Sequence, residues 1–131
     1  NSYDVRLFDR YIRNVKRLGV WAVGIVGGSL VEAPRVVNHT VVGWYAIWRP
    51  NRVFAVDMAG FALHLNEYFR VPKAGWTRFV VREGAESNFI KQFGFKRRDA
   101  EPFGYEDEPR ELLVWHTRTT NIGTAGERHG Y

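Results

Sequence analysis

Short apolar runs that end abruptly on glycine or on a polar residue are the feature that most constrains how this chain can fold. Residues 20–26 form such a run, rich in β-branched side chains, and Gly27-Gly28 ends it. A continuous apolar run of this length predicts a strand buried on both faces. Pro34 and Asn38 predict a turn region further along. Further extended segments are predicted at 29–32, 40–48, 53–56, 76–81 and 112–115.

Helical spacing separates these runs. Residues 3–18 place apolar side chains on one face and arginines on the other, and Gly19 predicts the end of this helix. Residues 85–93 predict a second helix that Gly94 ends, while residues 58–69 fit either a strand or a helix. Alternating strands and helices predict an α/β or mixed class.

Composition narrows the classes of function. The formal net charge of +5 favours an anionic partner, but the Lys and Arg residues are scattered and no nucleic-acid-binding motif accompanies them. Aromatic residues make up 15% of the chain, which suits sugar binding, although core packing explains any single ring more simply. A nucleic-acid binder is therefore not expected.

The C-terminal residues 119–131 are polar and Gly-rich, which predicts a mobile tail.

Four carboxylates are candidates for acid–base chemistry or ligand binding: Glu32, Asp57, Glu83 and Glu86. Glu32 and Asp57 each follow an apolar run. Glu86 stands in the first turn of a predicted helix, where the helix dipole stabilises its charged form. A general base needs a carboxylate or a histidine beside the attacking hydroxyl. The residue pattern alone leaves all four open, and a simple complement to the dipole is the more economical explanation of Glu86.

A histidine and an arginine follow the last predicted strand, at His116 and Arg118. Alternate residues of an extended chain point the same way, so both side chains could converge on one anion, such as a diphosphate. An unrelated surface pair is the alternative. The other histidines, His39, His64 and His129, are isolated, so no closed metal site is predicted within this chain.

Three segments carry a specific resemblance: GVWAVGIVGG at 19–28, WRPNRVFAVDMAGFA at 48–62 and LVWHTRT at 113–119. In this order and at this spacing they closely resemble the animal β-1,3-glucuronosyltransferases of glycosyltransferase family 43. The resemblance extends over roughly residues 1–119 and is far more specific than any one segment would be.

The resemblance implies the C-terminal half of a GT-A type nucleotide-sugar transferase fold, an α/β arrangement of a mixed sheet flanked by helices. Residues 1–118 would be the acceptor-binding and catalytic part, and residues 119–131 a flexible tail. The implied reaction is inverting transfer of glucuronic acid from UDP-glucuronate to the 3-hydroxyl of a terminal galactose on a glycan. A Mn²⁺ cofactor bound upstream of this chain, a homodimer and a membrane-anchored parent in the Golgi lumen are implied as well.

Site residues follow from matched positions in the family. Glu86 matches the catalytic glutamate, which would take the proton of the acceptor hydroxyl. The residues that match acceptor-binding positions are Glu32, Trp48, Arg52 and Asp57. The residues that match the donor side are His116, Arg118 and Arg82. Asn38 begins the sequon Asn38-His39-Thr40 and is the predicted glycosylation site.

One departure and two alternatives accompany these expectations. Arg49 stands between Trp48 and Pro50, where mammalian members carry an acidic residue, so the choice of acceptor is open. A non-catalytic, galactoside-binding remnant that lacks the donor half is the main alternative function. A transferase of the same family that uses another donor ranks below it.

Overall fold

The computed structural model describes residues 1–79, 82–119, 121 and 123–131, and its strands form two mixed sheets. The strands are β1 Ser2–Tyr3, β2 Leu18–Val20, β3 Val23–Val26, β4 Ser29–Val37, β5 Thr40–Tyr45, β6 Phe61–Leu63, β7 Glu101–Pro102 and β8 Val114–Trp115. The helices are α1 Arg6–Arg10, α2 Leu65–Arg70 and α3 Ala85–Lys91. Three 3-10 turns lie at Ile12–Asn14, Met58–Gly60 and Arg97–Asp99.

The larger sheet has the strand order β1-β8-β3-β4-β5, and the smaller has the order β6-β2-β7. Strand β3 pairs antiparallel with β4 and parallel with β8, whereas β2 pairs antiparallel with β6 and parallel with β7. Helix α3 packs through the fully buried Ile90 into the same apolar cluster as Phe54. Parallel and antiparallel pairs with flanking helices confirm the predicted α/β class with a mixed sheet.

The predicted helix over residues 3–18 is wrong in its length. Residues at its start pair with β8 as strand β1, so only Arg6–Arg10 and the 3-10 turn Ile12–Asn14 are helical. The side chain of Asn14 donates to the carbonyls of Asp9 and Arg10, at 2.9 and 3.0 Å. These bonds satisfy the carbonyls at the end of the helix and stop its continuation.

The predicted single strand over 20–26 is divided between the two sheets. Strand β2 ends at Val20 and β3 begins at Val23, so the chain passes from the smaller sheet to the larger one at residues 21 and 22. Trp21 holds this connection in place, because its indole Nε1 donates to the carbonyl of Ala59 at 2.8 Å. Pro34 lies inside β4 rather than in a turn; the turn is at Asn38 and His39, which have φ angles of 48° and 60°.

Two other strand predictions are also wrong. Residues 53–56 form no strand, because side chains rather than a neighbouring strand take up their backbone groups. Residues 76–79 form no strand either, and the last two residues of that prediction, 80 and 81, lie outside the described residues. The ambiguous stretch 58–69 is divided into a 3-10 turn, strand β6 and helix α2.

Residues 123–131 of the C-terminal stretch have a defined place in the structure. The amide of Ala125 donates to the carbonyl of Gly28 at 2.8 Å, and the amide of Leu30 donates to the carbonyl of Ala125 at 3.0 Å. The ring of His129 stacks on Tyr45 with centroids 4.0 Å apart. The mobility predicted for this stretch stays a prediction. None of the helices in the described ranges has the length and apolar character needed to span a membrane.

Candidate functional site

The predicted site residues converge on one cavity of about 300 Å³ at the ends of β3 and β8. Segment 49–56 and helix α3 provide its other walls. The lining residues are Val26, Gly27, Glu32, Trp48, Arg52, Val56, Asp57, Glu86, His116 and Arg118. All of the predicted site side chains except Arg82 and the sequon residue Asn38 are therefore brought together.

Glu32 is a buried carboxyl group on strand β4. Only 4% of it is exposed, and burial raises its pKa to about 8; the nearby Arg52 opposes this shift, while the negative charges of Asp57 and Glu86 add to it. Desolvation disfavours the charged carboxylate, so Glu32 is largely protonated at neutral pH. A protonated carboxyl group can donate one hydrogen bond and accept others, which suits a sugar hydroxyl.

Arg52 is buried against the ring of Trp48. Its guanidinium carbon lies 4.3 Å from the ring centroid, and its Nε and Nη2 donate to the carbonyls of Arg49 and Trp48 at 3.2 and 3.1 Å. A cation over an indole ring is held by the ring quadrupole. Trp48 keeps 42% of its surface exposed, so the cavity presents an aromatic ring beside an oriented cation.

Asp57 and His116 connect two elements across the cavity. One carboxylate oxygen of Asp57 accepts the amide of Ala59 at 2.9 Å and so caps the turn Met58–Gly60. The other lies 3.3 Å from Nδ1 of His116. This contact lacks hydrogen-bond geometry, and within the described ranges the buried Nδ1 has no hydrogen-bond partner. The two side chains are therefore in close polar contact without a hydrogen bond.

Arg118 completes this row by donating from Nε to Nε2 of His116 at 3.2 Å. An acceptor role for Nε2 places the imidazole proton on Nδ1, on the side of Asp57. His116, Arg118 and Gly27 also line a second, more open cavity of about 800 Å³. The basic pair thus stands between two adjoining cavities, where it can meet an anion that enters from the larger one.

The structure separates the two carboxylates near the start of α3. Glu86 lines the cavity, whereas Glu83 accepts hydrogen bonds from the amide of Val53 at 3.2 Å and from the hydroxyl of Ser87 at 3.0 Å. The bond from the Val53 amide and that from Ser87 lower the pKa of Glu83. Of the four candidate carboxylates, Glu83 is therefore bound to the protein itself, and Glu86 is free to meet a ligand.

Arg82 is exposed and does not line the cavity. Its carbonyl accepts from Nη1 of Arg49 at 2.8 Å, so the residue contacts the site through its backbone. Asn38 lies exposed on the turn between β4 and β5. In the part of the chain that the structure describes, no three His, Asp or Glu side chains group as metal ligands do. The acidic groups of the cavity do not form such a set, since one oxygen of Asp57 accepts from the amide of Ala59 and Glu32 is buried beside Arg52.

Two glycines that were not predicted as site residues shape the cavity. A Cβ at Gly27 would stand 3.2 Å from a carboxyl oxygen of Glu32, and one at Gly84 would stand 3.2 Å from both Nη1 of Arg52 and the ring of Trp48. Both residues have positive φ angles, 57° and 81°. The sequence signal for Gly84 is its place directly before a helical segment, but the close approach of Trp48 is visible only in the folded chain.

Comparison with known proteins gives one family match and a consistent set of relatives. The model of glycosyltransferase family 43 matches residues 1–120. Human galactosylgalactosylxylosylprotein 3-beta-glucuronosyltransferase 2 is 42% identical over 128 residues, which cover 97% of this chain and 38% of the relative. The Drosophila melanogaster enzyme I is 37% identical, with 97% and 42% covered, and Caenorhabditis elegans sqv-8 is 38% identical, with 91% and 33% covered. The chain thus spans about two fifths of the length of these relatives.

Proposed function

Because this chain belongs to glycosyltransferase family 43, we propose that it forms the acceptor-side part of an inverting glucuronosyltransferase. The transferred group is glucuronic acid, the donor is UDP-glucuronate, and the acceptor is the 3-hydroxyl of a terminal galactose on a glycan. One observation carries the proposal: three carboxyl groups, an aromatic ring and a buried arginine converge on one cavity, and a His–Arg pair joins it to a larger one.

Glu86 is the proposed general base. It removes the proton of the galactose 3-hydroxyl as that oxygen forms a bond to the anomeric carbon of glucuronic acid. The bond from the anomeric carbon to the diphosphate breaks in the same step, and its electron pair leaves with UDP. A single displacement inverts the anomeric centre, so one base suffices and no covalent intermediate forms.

The remaining cavity residues orient the two substrates. Glu32 and Asp57 hydrogen-bond sugar hydroxyls, while Trp48 packs on the apolar face of the galactose ring and Arg52 fixes its approach. His116 and Arg118 lie where the cavities adjoin and stabilise the negative charge that develops on the departing diphosphate. Arg82 was predicted on the donor side, and its position outside the cavity gives that role no support.

Family members are generally metal-dependent. We propose that Mn²⁺ is held by ligands outside this chain and adds positive charge beside the diphosphate. The proposed setting is the lumenal side of the Golgi, in a membrane-anchored homodimer with a glycan on Asn38. The alternative of a non-catalytic galactoside-binding remnant is not favoured by the relatives, which carry transferase names.

Replacing the base tests the function directly. We expect Glu86→Gln in the full-length protein to lower turnover by about 10²–10⁴-fold, the typical contribution of general-base catalysis, because the amide cannot take the proton. Turnover is measured as transfer of radiolabelled glucuronic acid to a galactose-terminated oligosaccharide, and UDP binding by calorimetry should stay unchanged.

Glu106→Gln is the matched control, since Glu106 lies outside the cavity and its contact with His39 is exposed. It should keep normal turnover. A Glu86→Gln variant with normal turnover contradicts the assignment of the base. Absence of transfer by the unmodified full-length protein, with galactoside binding retained, would favour the non-catalytic alternative.

A further inference from the structure

Two polar side chains, Glu83 and Ser87, join helix α3 to the segment 49–56, here named the Arg52 segment. Oε2 of Glu83 accepts from the amide of Val53 at 3.2 Å and from Oγ of Ser87 at 3.0 Å. Oγ of Ser87 in turn accepts from the amide of Phe54 at 3.2 Å. The amides of two consecutive residues are thus bound by two linked side chains from the start of α3.

The Arg52 segment depends on such bonds because no strand in the described ranges pairs with it. Its carbonyls are bound by cationic and indole donors: Arg97 donates to the carbonyls of Arg52 at 3.0 Å and Val53 at 3.2 Å, and Trp44 donates to that of Val53 at 2.9 Å. Buried backbone groups must be paired, and here side chains pair the carbonyl of Arg52, both backbone groups of Val53 and the amide of Phe54. Arg97 thus binds carbonyls of the segment, and the carboxylate of Glu83 binds the amide of Val53.

Burial and charge make the hydrogen bonds that Glu83 and Ser87 form with the Arg52 segment costly to lose. Ser87 and Phe54 are both 0% exposed, so an unpaired hydroxyl or amide there would be costly. Glu83 is ionised, because the amide of Val53 and the hydroxyl of Ser87 lower its pKa. Hydrogen bonds to a charged acceptor are roughly twice as strong as neutral ones.

These bonds connect the two sides of the cavity. Glu86 directly precedes Ser87 on α3, and Arg52 directly precedes Val53. We propose that Glu83 and Ser87 are positioning residues, which hold Glu86 at the place where Arg52 and Trp48 present the acceptor hydroxyl. The proposal rests on the role of Glu86 as the base and concerns what sets its distance to the acceptor. Neither positioning residue lines the cavity.

Substitutions of both residues in the full-length protein test the proposal. We expect Glu83→Ala and Ser87→Ala to lower kcat by about 10–100-fold, because a displacement near 1 Å costs about 10²-fold in a transfer reaction. The acceptor KM should stay within a factor of about two, since Arg97 and Trp44 still bind the carbonyls of Arg52 and Val53 in these variants. Glu83→Gln should lose less than Glu83→Ala, because the amide oxygen can still accept from Val53.

A control and a pH profile separate positioning from other roles. Lys91→Gln removes the exposed ammonium that lies 3.9 Å from Glu83 and should leave kcat unchanged; an equal loss in this variant would overturn the proposal. The acidic limb of the kcat profile should stay in place in Glu83→Gln, since Glu83 is not the proton acceptor. A shifted limb contradicts a purely positioning role.

The outcomes distinguish this proposal from the proposed function. If Glu86→Gln is inactive while all three Glu83 and Ser87 variants keep normal kcat, only the positioning role fails. If Glu86→Gln turns over normally, the base assignment fails. A loss of kcat accompanied by an equal loss of UDP affinity and of melting temperature indicates general destabilisation and overturns the positioning role. Glu83→Gln remains the test if Ser87→Ala does not fold.

Discussion

Glu32 is the residue whose chemistry the fold changes most. In sequence it is one acidic residue after an apolar run, and the folded chain makes it a buried, protonated carboxyl group beside Arg52. Glu83, equally acidic in sequence, has its pKa lowered by the amide that it binds. The difference between the two comes from what each group contacts, because burial without enough partners disfavours charge and hydrogen-bond donors favour it.

Glu32 should make the stability of the protein depend on pH. Its pKa is about 8 in the folded state and 4.5 ordinarily, so the folded state binds the proton more tightly than the unfolded state. The stabilisation is complete below pH 4.5 and is lost as pH rises to about 8, with a slope of at most about 1.4 kcal/mol per pH unit. Above that pH the loss is complete and the slope returns to zero.

The neutral isostere Glu32→Gln should remove this slope. The measurement is the melting temperature of the full-length wild type and variant from pH 5 to pH 9, in which the difference should shift in favour of the variant as pH rises. Asp57→Asn serves as a comparison that changes a cavity carboxylate on another segment. Parallel curves for wild type and Glu32→Gln across this range would contradict the raised pKa.

At the scale of elements, the site depends on how helix α3 approaches the Arg52 segment. Gly84 directly precedes α3 and has a φ angle of 81°, a conformation that L side chains rarely adopt. Its missing side chain leaves room for the ring of Trp48 and the guanidinium of Arg52. The glycine therefore has two functions: it lets the chain turn into the helix, and it lets the helix approach the cavity closely.

Gly84→Ala should reduce both stability and activity. The backbone conformation alone, with φ at 81° and ψ at 163°, should cost about 1–3 kcal/mol, and the added Cβ would displace Trp48 or α3 and so lower kcat. Gly94→Ala is a matched control, because Gly94 also has a φ angle of 81° but an added Cβ meets nothing within 4 Å. Both variants should melt at lowered temperatures, Gly84→Ala at the lower one because its Cβ also meets Trp48 and Arg52, and only Gly84→Ala should lose activity. Equal kcat in both variants contradicts the steric argument.

At the scale of the whole molecule, the chain crosses between two sheets at Trp21 and Ala22 and brings the ends of β3 and β8 to one cavity. The turn between β4 and β5 carries the sequon and is exposed. Such a turn is accessible to the glycosylation machinery, provided that the protein enters the secretory lumen. Glycosylation of Asn38 in this turn therefore provides a test of the proposed Golgi location.

The full-length protein expressed in animal cells should carry an N-linked glycan on Asn38. Treatment with an amidase that releases N-linked glycans should lower its mass. In the Thr40→Ala variant this loss of mass should be smaller by the mass of the glycan on Asn38. Thr40→Ala leaves Asn38 itself in the turn and removes one exposed hydrogen bond, from the Thr40 hydroxyl to the carbonyl of Asn38 at 3.3 Å. Peptide mass spectrometry that finds Asn38 unmodified in protein secreted through the Golgi contradicts the prediction.

The α/β class and the family were determined by the sequence alone, because apolar patterns and ordered motifs are local properties. The resemblance predicted Asp57 and His116 within the quoted motifs and Glu86 by its spacing from Asp57, and the structure brings all three to one cavity. Local patterns failed where long-range pairing competed, as when residues at the start of the predicted first helix joined β8 as a strand.

Only the tertiary structure decided what each polar group contacts. In the folded chain, Glu83 accepts a hydrogen bond from the amide of Val53, Arg82 lies outside the cavity, and the run 20–26 is divided between two sheets. Protonation, burial and hydrogen bonding depend on residues that are far apart in sequence, so no local pattern contains them. The family match names the candidates for catalysis, and the fold determines which carboxylate is free to act as the base.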